Sequence, residues 1–230
     1  MVCKKILNKV FAFSCGTITH VNTGISAVAL TFDDGPHPAS TPYVLDILSK
    51  YDAKGTFFMI GKAARAYPHI VKQVAEAGHA IGNHSWDHQA FPALTGKERR
   101  QQIRACKEAL HPYGESILRP PKGYQNYFSR LDALLLKYKV ITWNIHVEDW
   151  KNVSTEAMVN NLLSRFRPGS IILLHDAVWD PVFDGAEDRT HMLKALEGFV
   201  NQIHNGIQLV TVPELLKLGK PRLSSWIKHP

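Results

Sequence analysis

The sequence predicts an α/β fold of parallel strands with helices outside, and three observations predict it. Apolar runs of strand character alternate with helical segments along nearly the whole chain. Five of those strand–helix units carry a short polar cluster just after the strand. No internal repeat, low-complexity tract or interdomain linker interrupts the alternation, so 230 residues read as one domain with its own core. Alternation alone leaves a doubly wound sheet and a barrel both open.

Each element has its own signal. Ala27 to Phe32 is an apolar strand, followed by a helix capped near Ser40 or Thr41 with Pro42 in its first turn. Thr56 to Ile60 reads as a buried strand. Pro68 opens a helix ending near Gly78, and His79 to Ile81 is a short third strand. Thr95 and Glu98 make a capping box for a helix running to about Leu110. Ile117-Leu118 is a weak strand, Leu131 to Lys137 is helical, and Lys139 to Trp143 is a strand. A helix starts near Ser154, Ser170 to Leu174 is a strand, and Thr190 to His204 is a helix. Ile207 to Val210 closes the strand series, and Pro213 opens a last short helix. Trp179 to Asp188 is acidic, holds Pro and Gly, and reads as a loop. Residues 1–24 are assigned to an N-terminal extension, 25–220 to the domain and 221–230 to a tail.

Composition narrows the classes. A hydrophobic fraction of 45% and a charged fraction of 20% are those of a globular protein. No stretch approaches the ~20 apolar residues of a membrane span. The net charge of +7 suits anionic partners, but a solvated surface with excess lysine is the simpler reading. No arginine-rich run or aromatic-interleaved basic stripe supports nucleic-acid binding. Cys3, Cys15 and Cys106 are odd in number and lack a C-x-x-C pair, so they describe neither a disulfide framework nor a thiolate metal site. Lys4 and Lys5 precede an apolar patch at Val10 to Phe13, but Asn8 and Lys9 interrupt it. That run is shorter than the ~7–15 residues of an export signal, so a cytoplasmic or membrane-surface location is expected.

The polar clusters carry the chemistry. They are Asp33-Asp34-Gly35-Pro36, His84-Ser85-Trp86-Asp87-His88, Arg119-Pro120-Pro121, Asp149-Trp150 and His175-Asp176. In parallel α/β folds, loops at the carboxyl ends of strands converge on one face, so the five are expected to share one site. Spacing of four sets His84 and His88 on one face of a helical turn. Two imidazoles and a carboxylate form a catalytic zinc set with one position left for water or substrate. Alone, a His-x-x-x-His pair is a weak signal that more often marks two surface histidines. Adjacent carboxylates on a strand point to opposite sides, so Asp33 and Asp34 should serve different roles, one toward metal and one as a base. No Gly-x-Ser-x-Gly elbow suggests a serine esterase.

Together these segments resemble the five ordered motifs of NodB-type polysaccharide deacetylases, carbohydrate esterase family four. The motifs are Thr31-Phe32-Asp33-Asp34-Gly35-Pro36, His84-Ser85-x-x-His88, Arg119-Pro120-Pro121-x-Gly123, Asp149-Trp150 and Leu173-Leu174-His175-Asp176. The resemblance runs from about Ala27 to Leu216 and implies a distorted (β/α) barrel of about seven parallel strands with outer helices. It implies that Asp34, His84 and His88 hold a divalent metal. Zinc is the default, and Co²⁺, Ni²⁺ or Mn²⁺ also suit two His and one Asp. It implies Asp33 as general base, Arg119 as its partner, His175 as general acid and Asp149 as the carboxylate that supports His175. Trp150 and Leu173 would be apolar walls, Lys122 would offer its backbone N–H to the oxyanion, and Tyr124 would meet substrate. The family usually has Tyr where Lys122 stands, so a cationic mouth and an anionic substrate are expected here. His146, three residues before Asp149, is expected to be structural.

The expected function is hydrolysis of the N-acetyl amide of an amino sugar in a chitooligosaccharide or peptidoglycan-type glycan. Alternatives on the same site are deacylation or deformylation of a lipid-linked sugar, O-deacetylation of xylan, and hydrolysis of a small amide or imide. A catalytically silent glycan-binding protein of this fold would lack a ligand, the base or the acid, whereas all seven residues are present.

Overall fold

The computed structural model describes residues 16–180, 185 and 187–226. Its strands are β1 (Thr17–Asn22), β2 (Ala27–Asp33), β3 (Gly55–Met59), β4 (Ala80–Asn83), β5 (Gly114–Leu118), β6 (Lys139–Val140), β7 (Ile145–His146), β8 (Ile171–His175), β9 (Gln208–Leu209) and β10 (Lys220–Ser224). Its helices are α1 (Thr41–Lys50), α2 (Gly61–Ala66), α3 (Pro68–Glu76), α4 (Gly96–Leu110), α5 (Tyr127–Leu135), α6 (Thr155–Arg165), α7 (Thr190–Ile203) and α8 (Val212–Leu215).

Seven strands pair in the order β6-β5-β4-β3-β2-β8-β7, and β9 adds to the start of β2. Every pairing in this sheet is parallel. The two ends of the path, β6 and β7, are neighbours in sequence. The chain leaves β6 after Val140 and rejoins the sheet at Ile145. β1 stands at that opening, bridging Ile18 to Ile141 and His20 to Ser170. The result is a distorted barrel with helices around it, as the motif resemblance implies.

Strand alternation sorts side chains between two cores. On β2, Val28, Leu30 and Phe32 face the helices together with Val44, Leu48, Leu196 and Phe199. Ala27 and Ala29 face inward with Phe58, Ile171, Leu173 and Trp143. The two-residue period of a strand then puts Thr31 and Asp33 on the inner side, and by the same count His175 on β8. All seven β2 residues are buried, as expected of a central parallel strand covered on both faces.

Local signals set most helix starts. Thr95 and Glu98 form the expected capping box on α4, and Thr211 with Glu214 forms another on α8. The helix expected from Leu131 instead begins at Tyr127, because Asn126 and Ser129 cap it reciprocally. The helix α2 has no counterpart in the sequence reading. Its N-terminal N–H groups are satisfied from a distance, Gly61 donating to the Ser85 carbonyl and Lys62 to that of Trp86. The strand expected over Lys139 to Trp143 is cut back to Lys139–Val140, because Thr142 donates to Ile18 of β1 and Asn144 to Ile171 of β8.

The positions assigned to an extension and a tail contribute β1 and most of β10, which pair antiparallel from Thr17–Ser224 to Asn22–Lys220. Ile18 and Val21 belong to the inner core, with Trp226 packed against it, so these segments are part of the folded body. Cys3, Cys15 and the patch at Val10 to Phe13 lie outside the described residues. Cys106 is buried, and burial pushes its thiol up to about 12, which leaves it unreactive at neutral pH. Among the described residues, no helix is long and apolar enough to cross a membrane.

Candidate active site and metal centre

The carboxyl ends of β2, β4, β5 and β8 open on one cavity of about 300 Å³. Asp33, Asp34, His84, His88, Lys122, Tyr124, Trp150, Leu173 and His175 all line it. Arg119 and Asp149 lie behind this wall, Arg119 bonded to Asp33 and Asp149 to His175. Convergence of separate strand ends therefore brings every candidate residue to the cavity or directly against it.

Asp33 ends β2 and points inward by strand alternation. Asp34 should then point outward. It reaches the same cavity because its φ of 76° turns the chain out of the strand. The following Gly35 approaches Asp176 so closely that a Cβ there would lie 2.2 Å from Asp176 Oδ2. Asp176 accepts from Gly35 N–H at 3.2 Å and from the Thr41 hydroxyl at 2.6 Å, tying the turn to the start of α1. Burial first, and then the charge of Asp34, pushes Asp176 up to about 7.

His84 and His88 meet without a helix. The chain after β4 turns through Ser85 (φ 68°) and His88 (φ 64°), which places the rings 5.2 Å apart. Asn83 Oδ1 accepts from Ser85 N–H at 2.9 Å, Ser85 Oγ accepts from His88 N–H at 3.1 Å, and Gln102 Oε1 accepts from Trp86 and Asp87 N–H. These side-chain bonds replace the helical ladder expected from the spacing of four. Left-handed backbone at three non-glycine positions is strain of the kind folds hold at functional sites.

The donor set suits a divalent metal. One ligand atom each from Asp34, His84 and His88 lie within 4.8 Å of one another. Asp34 Oδ1 is buried, makes no hydrogen bond, and stands 3.4 Å from both His84 Nε2 and His88 Nε2. His84 Nδ1 meets the Arg119 carbonyl at 2.8 Å, which can only accept, so Nδ1 holds the proton and Nε2 presents its lone pair. His88 Nδ1 lies 2.9 Å from Asp180 Oδ2, which fixes that ring in the same sense. Burial would raise the Asp34 pKa, but His88, His84 and His175 outweigh it and hold the carboxyl below the usual carboxylate range. Burial lowers the pKa of His88, keeping it neutral as a ligand must be.

Two buried ion pairs flank this centre. Arg119 is fully buried and donates to Asp33 Oδ1 at 2.6 Å, Thr31 Oγ1 at 2.8 Å and the Thr142 carbonyl at 3.0 Å. Its guanidinium lies 4.1 Å from the centre of the Phe58 ring. Opposite, Asp149 accepts from His175 N–H at 2.8 Å and pairs with His175 Nδ1 at 3.0 Å. Burial would lower the His175 pKa, but Asp149, and then Asp34 and Asp33, raise it to about 9. Trp150 stands edge-on to His175 at 5.0 Å and stacks on His146 at 5.7 Å, so His146 supports the wall from behind.

Three residues of the site were not singled out from the sequence. Arg189, ahead of α7, donates to Asp149 Oδ2 at 2.5 Å and to the carbonyls of Asp149 and His175. Asp176 ties the Asp34 turn as described, although its motif was noticed. Asp180, in the acidic loop after β8, contacts both His88 and Lys122 Nζ, the latter at 3.1 Å. Lys122 does put a cation at the mouth, as expected, and the structure pairs it with the Asp180 carboxylate. These contacts join residues 14 to 141 positions apart, beyond the reach of any local spacing signal.

Residues 20–141 match the polysaccharide deacetylase family model. The chain is 35% identical over 199 residues to a peptidoglycan-N-acetylglucosamine deacetylase of Bacillus cereus, covering 85% of this chain and 70% of that protein. This chain belongs to the polysaccharide deacetylase family. It is also 36% identical over 176 residues to a chitooligosaccharide deacetylase of Azorhizobium caulinodans, covering 72% of this chain and 84% of that one. The crystal structure of the Bc1960 peptidoglycan N-acetylglucosamine deacetylase superposes with a TM-score of 0.78 at 32% identity, over 89% of this chain and 94% of the other. Members of this family are metalloenzymes, and the Asp34, His84 and His88 cluster is the candidate centre.

Proposed function

We propose that this chain is a zinc-dependent deacetylase that hydrolyses the N-acetyl amide of an amino sugar in a chitooligosaccharide or peptidoglycan-type glycan. The observation that carries the proposal is the unpartnered Asp34 Oδ1 between two imidazole Nε2 atoms, with a carboxylate and a raised-pKa imidazole lining the same cavity. The similarity to peptidoglycan and chitooligosaccharide deacetylases supports the substrate class.

A divalent ion held by Asp34, His84 and His88 would act as a Lewis acid on the amide carbonyl and make water nucleophilic at neutral pH. Asp33 serves as the base. Arg119 engages its Oδ1 and keeps it oriented, leaving Oδ2 on the side of His84, 3.7 Å from Nε2. His175 serves as the acid. With its pKa raised to about 9 it holds a proton at neutral pH, ready for the departing amine. Asp149 orients that ring through Nδ1 and stabilises its cationic form. Lys122 sits in a tight turn at φ 57°, and its N–H is assigned to the oxyanion. Trp150 and Leu173 wall the acyl group, and Tyr124 meets the sugar.

Acetate release from chitooligosaccharides and from peptidoglycan fragments tests this. Release should stop on chelation and return with zinc. Absence of release from both substrates by folded, metal-loaded protein would overturn the substrate assignment.

A further inference from the structure

We propose that Asp180 is a positioning residue for the metal centre, holding His88 in its ligating tautomer and orientation. This role rests on Asp34, His84 and His88 being the metal ligands. His88 is the ligand least secured by secondary structure. It lies beyond β4 in a turn, at φ 64°, while His84 directly follows the strand. Its backbone is tied by Ser85 Oγ, and its ring Nδ1 meets Asp180 Oδ2 at 2.9 Å. A carboxylate accepts only, so this contact places the proton on Nδ1 and turns Nε2 toward Asp34 Oδ1, 3.4 Å away.

Asp180 is itself held at both sides of the cavity. It belongs to the loop after β8, five residues beyond His175, and its Oδ2 also meets Lys122 Nζ at 3.1 Å. Lys122 belongs to the turn after β5. One carboxylate oxygen thus links the His88 turn, the β5 turn and the β8 loop across the mouth. The neighbouring Trp179 N–H donates to Asp34 Oδ2 at 3.1 Å, so adjacent residues of one loop engage two of the three ligands. Carboxylates that accept from a ligating imidazole fix its ring and raise its basicity, and their loss weakens metal binding by roughly 10–100-fold.

The test measures zinc affinity of the purified full chain by competition with a chromophoric chelator, independently of turnover. Asp180→Ala should weaken zinc binding about 10–100-fold. Asp180→Asn keeps an oxygen that accepts from Nδ1–H but removes the charge, and should keep a good part of the affinity. In His88→Ala, adding Asp180→Ala should cost little more, since its effect runs through the absent ring. Circular dichroism of each variant checks the fold. Zinc binding by Asp180→Ala within twofold of the parent would overturn the proposal. Equal losses in the Ala and Asn variants, or losses that multiply in the His88→Ala background, would assign the effect to charge alone and overturn it too. If the parent binds no zinc, the ligand assignment fails instead.

Discussion

Replacing Arg119 with Met keeps the aliphatic stem and removes the guanidinium. Arg119 is wholly buried and Asp33 nearly so, and their 2.6 Å contact has no solvent screening to weaken it. The substitution leaves the Asp33 carboxylate buried without its cation, and the Thr142 carbonyl and Thr31 hydroxyl without a donor. Breaking a buried pair from one side costs about 3–5 kcal/mol. For a chain of this size, that lowers Tm by very roughly 10 °C at ~2–4 °C per kcal/mol. The Asp33→Asn, Arg119→Met double variant removes the stranded charge. It should be more stable than the summed single losses predict, by about 2–3 kcal/mol. Urea denaturation of the four proteins at one pH gives the cycle. A single-variant loss below about 1 kcal/mol, or additivity within about 0.5 kcal/mol, would refute the buried-pair argument.

Asp33→Asn should retain fold and zinc while losing turnover, checked by acetate release alongside metal analysis; retained turnover removes Asp33 from the role of base. Arg189→Met should lower kcat by about tenfold or more with KM little changed, because Asp149 then orients His175 without its guanidinium partner. His79 supplies a pH dependence remote from the site. Its Nδ1 accepts from Gly55 N–H at 3.1 Å, and burial, with Lys54 beside it, lowers its pKa from 6.5 to about 4. The unfolded chain therefore binds this proton more readily. The stabilisation is complete above about pH 6.5, is lost as pH falls toward 4, and at pH 5 about 2 kcal/mol of it is gone. Denaturation midpoints at pH 7.5 and 5 should show this fall and lose that component in His79→Gln. Gly35→Ala should destabilise by about 1–3 kcal/mol through overlap with Asp176, read as a lower midpoint at unchanged slope.

The sequence by itself determined whatever depends on near neighbours. Alternating apolar strands and capped helices fixed the α/β class, since a capping box such as Thr95 with Glu98 closes within four residues. The apolar run of β2 marked a strand, and its central place came from the pairing. Topology then put Asp33, His84 and His175 at one cavity, with Arg119 behind Asp33, because parallel strands deliver their carboxyl ends to one face. Tertiary structure alone decided how those side chains are aimed. The left-handed turn at Asp34 brings two adjacent carboxylates to the same cavity, where strand alternation would separate them. The histidine pair is set by Asn83, Ser85 and Gln102, not by a helix. The β1–β10 ribbon, the start of α2, Arg189 and Asp180 depend on contacts between distant segments. Spacing rules describe a backbone that repeats itself, and these contacts form where the repeat ends and folding brings remote strand ends and turns within hydrogen-bonding distance.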